Sequence, residues 1–539
     1  MEVLAAPFLF GGPVALWLGV RAARRHAEEK RRAAREAEAA EERRVRECGN
    51  VVLAFANHVG YLAREAVSRS VLADAIDSGI SPGDLVDLIW ERCHAVDGIF
   101  LGEHPIGSRT IPVKLPEKLR ARHMYIVGKS GYGKTTLIRN LVLQDLYFGH
   151  GIGVIAPEQE MLTEEILPFI PEERWDDVIY VDPADIDRPV SFNPLHVDEG
   201  EDVDLKVDET FSILKRVFDD AGAGAAPRME AILRQALYTL MQIPGTTLLD
   251  MGKLLDRQDP SFRKWAVDQV SDEEARAFWT STYPSYPKDA HLALLNRLGR
   301  FLRPKVVRNV VCQPGASLDV RRAMDEGRIL LFNLSDGILG EANAQLLGQL
   351  VVAKVQMAAM SRAASPKASR TPFYLYIDEF QSFCGVAATS YEKILSRARK
   401  YGLGLVLAHQ QTGQIPEHLL KEILGNVSTM IAFCVGASDA KRIGREMVGE
   451  IDGVPVPLEP DELLSLRVGE AFCKIERTVF HLKGEPPPEG GSASARDEAV
   501  RRSREGWGVR SGREASASGR EETEGPGERI EDIDPGQVF

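Results

Sequence analysis

Residues 124–147 carry the pattern that most restricts what this chain can become. An apolar run, Met124-Tyr-Ile-Val127, leads into Gly128-Lys129-Ser130-Gly131-Tyr132-Gly133-Lys134-Thr135-Thr136 and then into a helical stretch, TTLIRNLVLQDL. Gly128–Thr135 fits G-x-x-x-x-G-K-[ST], where glycines let the backbone curl until successive N–H groups converge on phosphate oxygens. The helix that starts at Thr135 adds the positive end of its dipole. In such a loop Lys134 reaches the β- and γ-phosphates and the Thr135 hydroxyl ligates Mg²⁺. The pattern therefore predicts an ATP·Mg²⁺ site at Gly128, Lys129, Ser130, Gly131, Tyr132, Gly133, Lys134, Thr135 and Thr136. A glycine-rich turn with an incidental lysine would not need a strand before it and an amphipathic helix after it, and this motif has both.

A second run, Tyr374-Leu-Tyr-Ile-Asp378-Glu379, reads as a strand leaving the core and ending in two carboxylates. Asp378 is expected to hold the Mg²⁺, through water, and Glu379 to orient and deprotonate the attacking water. Alone, a strand ending in acids says little; paired with the upstream loop it completes a hydrolytic site. Further on, Arg397-Ala-Arg399-Lys400-Tyr401 precedes the strand LGLVLAH and then Gln410-Gln411. Gln410, at the tip of that strand, is the candidate γ-phosphate sensor. Arg399 is a candidate arginine finger for a neighbouring subunit, which would make hydrolysis depend on assembly. A solvated basic helix end accounts for Arg399 equally well from residue type alone.

The runs MYIVG, GIGVIAP, VIYVD, RILLFNLS, FYLYIDE, LGLVLAH and STMIAF are short, apolar and mostly separated by helical stretches. This is the signature of a mostly parallel sheet covered by helices on both faces. Residues 204–308 break the alternation with helical periods only and read as an inserted all-α domain between 123–203 and 309–483, the two parts of the nucleotide-binding domain. In RMEAILRQALYTLM the apolar spacing points inward, to core. At the N-terminus, Val3–Val20 carries no charge and is followed by Arg21, Arg24 and Arg25, so residues 1–20 are expected to form a transmembrane anchor with the bulk of the chain in the cytoplasm. Residues 21–48, almost only Ala, Glu, Arg and Lys, predict a juxtamembrane helix or a solvated spacer. Residues 49–122 read as a small N-terminal subdomain with a β-like stretch at Ile111–Val113. From 484 to 539 Pro, Gly, Ser, Glu and Arg dominate, and the segment is expected to be disordered. Its end, IEDIDPGQVF, is either a partner peptide or a solvated tail. The six cysteines form no C-x-x-C pair, which argues against a disulfide framework or a zinc site. A net charge of −13 excludes a surface basic all over, though not a local basic channel.

Taken in order, HMYIVGKSGYGKTTLIRNL, VSFNPLH, PRMEAILRQAL, LLFNLSDGILG, YLYIDEFQSF, SRARKYGLGLVLAHQ and GNVSTMIAFCVGASDA resemble the conjugative coupling-protein ATPases, TraG/TraD-like proteins within the HerA–FtsK superfamily. The resemblance covers roughly 101–482. It implies a RecA-like P-loop α/β fold and a homo-oligomeric, hexameric ring that drives single-stranded DNA with attached protein through a type IV secretion channel. Relaxase-type and channel proteins would be its partners. It implies Lys134 and Thr135 on nucleotide and Mg²⁺, Asp378 and Glu379 in hydrolysis, Gln410 as sensor and Arg399 as finger; Asn426 also falls on a family position without a clear role. One departure stands out. Where many relatives have an Asp-Pro-His-Gly-Asp-like run, this chain has Ala156-Pro157-Glu158-Gln159-Glu160; if that Asp organises the site in relatives, the expectation is either slow hydrolysis or substitution by Glu158 or Glu160. Two other readings compete: a DNA-processing or segregation translocase without a secretion channel, and an ATP-binding membrane scaffold that recruits substrate without moving it.

Overall fold

The computed structural model describes residues 12–66, 69–106, 108–197, 202–219, 227–314, 318–384, 388–451 and 454–509. The chain divides into two compact units: Met1–Val96 with Ile106–Ile111 and Glu450–Val456, and Asp97–Pro105 with Pro112–Gly449 and Pro457–Phe539.

In the first unit one helix runs from Gly12 to Ala66. Its Ala, Glu, Lys and Arg content is strongly helix-forming, and the helix continues unbroken through 21–48 to its end at Ala66. The helix Pro82–His94, capped by Ser81, packs against it. The Arg44 guanidinium donates to the carbonyls of Ile80 (2.7 Å) and Ile76 (2.9 Å), and Cys48 is buried beside them. The predicted anchor over 1–20 falls in Met1–Gly11, outside the described residues, and in the first turns of this helix. Among the described residues no helix is long and apolar enough to cross a membrane.

The strands of the chain, nearly all in the second unit, are β1 (Ile99–Ile106), β2 (Arg109–Leu115, its first residues in the first unit), β3 (Met124–Val127), β4 (Gly151–Ala156), β5 (Val178–Val181), β6 (Ile329–Asn333), β7 (Phe373–Ile377), β8 (Leu403–His409) and β9 (Thr429–Ala432). β10 (Val448–Ile451) and β11 (Val454–Pro457), mostly in the first unit, form a separate two-stranded sheet, and β12 (Glu470–Ile475) and β13 (Thr478–Lys483) complete the set. Among the described residues eleven strands form one sheet in the order β2-β1-β13-β12-β9-β3-β8-β7-β4-β6-β5. From β9 to β5 neighbouring strands are parallel. Every residue of those strands is buried, as strands covered on both faces must be, and this is why they read as unbroken apolar runs. The sheet is the large, mostly parallel α/β sheet that the sequence predicts.

The antiparallel end is not foreseen by the sequence beyond the β-like stretch now seen in β2. β12 and β13 pair from Glu470↔Lys483 to Ile475↔Thr478 and alternate buried with half-exposed residues. Lys474 and Arg477 interrupt their apolar pattern, so composition hid the hairpin. Between β5 and β6 the described residues form turns and an isolated bridge at Val190 up to 197, and then helices joined by turns, from Val203–Asp219 to Val320–Asp325. The helix Pro227–Met241 buries Met229, Ile232, Leu233, Ala236, Leu237 and Leu240, a 3–4 spacing that faces the core.

The expectation of a disordered segment from 484 onward is corrected for its first part. Ala493–Trp507 is a helix capped by Ser492. Small residues four apart, Ala495, Ala499 and Ser503, are its buried face and allow close approach to the edge strand β5. The Tyr180 amide donates to Ser503 Oγ at 2.7 Å, satisfying a backbone group that an open edge would leave unpaired. The contact is polar and made by small residues, so it needs little apolar area, and a composition poor in apolar residues conceals it. Residues 510–539, including IEDIDPGQVF, lie outside the described residues.

Candidate nucleotide site

The parallel strands point their C-terminal ends the same way, and β3, β8 and β7 are consecutive in the sheet. The loop after β3, the amide after β8 and the carboxylates after β7 therefore converge within about two strand spacings, roughly 10 Å. This crevice outside the carboxyl ends of the strands is where open α/β sheets bind ligands.

The loop's conformation follows from its glycines. Gly131 and Gly133 have φ of 80° and 117°, a region that side chains disfavour. At Gly128 a Cβ atom would lie 2.6 Å from Phe433 Cβ, so only glycine fits. The loop is pinned by Lys129 N donating to Cys434 O (2.8 Å) and Gly128 N donating to His409 O (3.3 Å). The helix Lys134–Tyr147 then begins, with Lys134 4 % exposed and its Nζ within 3.3 Å of Lys129 O. Lys129, Ser130 and Gly131 stay exposed around the loop, and the Tyr132 carbonyl accepts from Gly469 N.

Thr135 Oγ1 donates to Asp378 Oδ2 at 2.8 Å, joining groups 243 positions apart in sequence. Burial pushes the Asp378 carboxyl up to about 6, against the Thr135 hydrogen bond, and the neighbouring Glu379 charge adds to the rise. A cation placed there would stabilise the charged carboxylate. Among the described residues no cluster of three or more His, Cys, Asp or Glu side chains could hold a metal by itself. Mg²⁺ needs no such cluster: it takes one or two protein oxygens and fills its octahedron with phosphate and water. The Thr135 hydroxyl and Asp378 are the residues that would hold it.

Glu379 stands in the left-handed region (φ 46°, ψ 46°), a strained backbone for a side-chain-bearing residue. Its Oε1 accepts from Gln410 Nε2 at 2.9 Å and lies 4.0 Å from Lys134 Nζ; its Oε2 accepts from Gln381 Nε2 at 2.6 Å. Gln381 belongs to neither the phosphate loop nor the acidic pair, and sequence reasoning missed it. Its signal is positional only: two residues after the acid, on the tight turn Phe380–Phe383. Behind Gln410, His409 is fully buried, with Nε2 2.5 Å from Tyr125 Oη and Nδ1 3.0 Å from Gln411 O. Since a carbonyl only accepts, Nδ1 carries the proton and Tyr125 donates to Nε2.

A cavity of about 1070 Å³ opens over these groups. Ser130, Gly131, Gly133–Thr136, Asp378, Glu379 and Gln410 line its phosphate end, while Asn140, Leu143, Gln144, Tyr147, Val468 and Pro486–Pro488 line the far end. Glu158 also lines it, whereas Ala156 is buried at the end of β4 and Glu160 is not part of the wall. Arg399 is exposed on the turn Ala398–Tyr401, before β8, at the opposite end of that strand from Gln410. Asn426 caps its own helix, Nδ2 donating to Glu422 O at 2.8 Å, and also stands before its strand, β9, rather than after it. The structure thus assembles Lys134, Thr135, Asp378, Glu379 and Gln410 in one site and leaves Arg399 and Asn426 outside it.

Residues 372–452, from β7 through β10, match a family model described as the TraM recognition site of TraD and TraG. No curated protein matches the chain significantly. Among solved structures, the bacterial conjugative coupling protein TrwBdeltaN70 in its unbound form is similar with a TM-score of 0.51 at 16 % identity, over 75 % of this chain and 93 % of that one. The plasmid coupling protein TrwB in complex with a non-hydrolysable ATP analogue gives 0.51 at 16 % identity, over 70 % and 89 %. VirB4 of Thermoanaerobacter pseudethanolicus gives 0.48 at 16 % identity, over 73 % and 97 %. In fold across three quarters of its length, and in sequence across 372–452, the chain resembles the conjugative coupling-protein ATPases.

Proposed function

We propose that this protein is an ATP-hydrolysing motor that couples nucleotide turnover to the transfer of DNA, with attached protein, through a type IV secretion or conjugation system. The observation that carries the reading is the convergence of Lys134, the Thr135–Asp378 pair and the Glu379–Gln410 pair on three adjacent strand ends. ATP·Mg²⁺ supplies the phosphoanhydride. The loop amides and Lys134 hold its phosphates, Thr135 and Asp378 hold the cation, Glu379 takes the proton of the attacking water, and Gln410 orients that step. TrwB, the structural relative, has been solved with ADP and Mg²⁺ as well as with the ATP analogue. Arg399 lies at the far end of β8 from its own site, so a catalytic contribution would be made to another copy in a ring, which we take to be hexameric by analogy with the family. Single-stranded DNA is the proposed cargo. A relaxosome-type accessory protein is the proposed partner of 372–452, following the description of the matching family model. Val3–Val20, with Arg21, Arg24 and Arg25 behind it, is the proposed single-pass anchor, leaving the bulk of the chain in the cytoplasm.

A specific observation favours a second reading. Ala156 puts no carboxylate at the end of β4, and Glu158 reaches the cavity from a different position. A site weakened there would bind ATP and serve as a membrane scaffold. The discriminating experiment measures ATP hydrolysis by the full-length protein with and without single-stranded DNA, alongside Lys134→Ala. DNA-stimulated turnover that Lys134→Ala abolishes is expected. Tight ATP binding without turnover under either condition would overturn the motor reading in favour of the scaffold.

A further inference from the structure

The carboxylate plane of Glu379 is fixed from two sides. Gln410, after β8, donates to one oxygen, and Gln381, on the turn that follows the acid, donates to the other. The two donors differ in what else they can reach. Gln410 lines the cavity that would hold the phosphates; Gln381 does not. The left-handed backbone at Glu379 turns the chain back on itself, and the fully buried Phe380 and Phe383 anchor that turn, bringing residue 381 against residue 379. The orientation of the Gln381 amide is not arbitrary. A carboxylate oxygen only accepts, so the NH₂ group must face it. The amide oxygen Oε1 is buried and has no hydrogen-bond partner among the described residues.

We infer that Gln381 is a positioning residue for hydrolysis, acting through Glu379. A carboxylate with one donor rotates about its last bond; with a donor on each oxygen it does not. When a γ-phosphate draws on Gln410, Gln381 is the donor left to keep the base aimed at the attacking water. Gln381 does not line the cavity that would hold nucleotide and cation, so its removal reaches the chemical step and spares binding. The inference rests on the reading of Glu379 as the base.

The test uses the full-length protein and four variants: Gln381→Leu, Gln381→Asn, Glu379→Gln and the double Glu379→Gln/Gln381→Leu. Asparagine keeps the polarity but is one methylene short of the contact, so it serves should leucine impair folding. Each Gln381 variant is expected to lower kcat by about 10- to 100-fold, the usual cost of a mis-aimed catalytic group. KM and the Kd of a fluorescent ATP analogue should stay within about twofold. In the Glu379→Gln background, Gln381→Leu should cause no further loss in single-turnover rate, because the group it positions is gone. Wild-type or raised kcat in both Gln381 variants overturns the inference, as does a full additional loss in the double variant, which would mean a general effect on the turn. If Glu379→Gln hydrolyses ATP at the wild-type rate, the reading of Glu379 as base fails, and the inference with it.

Discussion

Replacing Asp145 by alanine should be among the most damaging single changes in this chain, although Asp145 touches no part of the nucleotide cavity. Its side chain is fully buried on the helix that begins at Lys134. Arg120, itself buried, grips it with Nη1 and Nη2 at 2.6 and 2.7 Å. Tyr376 of β7 donates its hydroxyl to the same carboxylate, His150 Nδ1 lies 2.9 Å away, and the guanidinium stacks 3.5 Å from the centre of the Tyr374 ring. Burial alone would raise the Asp145 carboxyl; the hydrogen bonds from His150 and Arg120 override it and hold it below the ordinary value. Asp145→Ala leaves the Arg120 charge buried and unpaired, which costs about 3–5 kcal/mol. That is a large share of a typical stability of about 5–15 kcal/mol. Asp145→Leu with Arg120→Met removes both charges and should recover most of the loss, because a buried pair stabilises little relative to apolar groups of similar volume. The assay is urea unfolding followed by tryptophan fluorescence, comparing midpoints for the wild type, Asp145→Ala, the single variants Asp145→Leu and Arg120→Met, and their double. A single-variant loss below about 1 kcal/mol, or a double variant as unstable as the two singles summed, would refute the reasoning.

Acid should destabilise the fold through two buried rings. Burial lowers His123 to about 4 and His409 to about 3. Between those values and the ordinary 6.5 the unfolded chain binds protons that the folded chain refuses, so stability present above pH 6.5 falls as pH drops, by about 2 kcal/mol per ring at pH 5. Equal urea midpoints at pH 7 and pH 5 would show that the rings are not buried in neutral form. If Arg399 serves a neighbouring copy, mixing Arg399→Ala subunits into wild type should depress ATPase activity more than dilution does; a linear decline removes it from the neighbour's site. Deleting residues 1–20 should release the protein from alkali-washed membranes, and a full-length protein that is itself soluble would refute the anchor.

The parallel half of the sheet was legible because burial on both faces demands uninterrupted apolar runs, and seven such runs stand in the sequence. The phosphate loop was legible because its chemistry is local: the glycines, Lys134 and Thr135 act within one turn of chain. The β12–β13 hairpin and the helix Ala493–Trp507 were not legible. Their buried faces are narrow, and charged residues on the other face dominate the composition. Folding alone decided the pairings across long separations. Thr135 meets Asp378, Gln410 meets Glu379, and Tyr376 meets Asp145 because strand order places β3, β8 and β7 side by side, and strand order is set by the packing of the whole core. Arg399 stands at the opposite end of β8 from the site simply because it precedes that strand in the sequence. Residue type named the chemistry of this chain. Which side chains share a cavity, and that Gln381 stands behind Glu379, came only from tertiary contacts that no local pattern encodes.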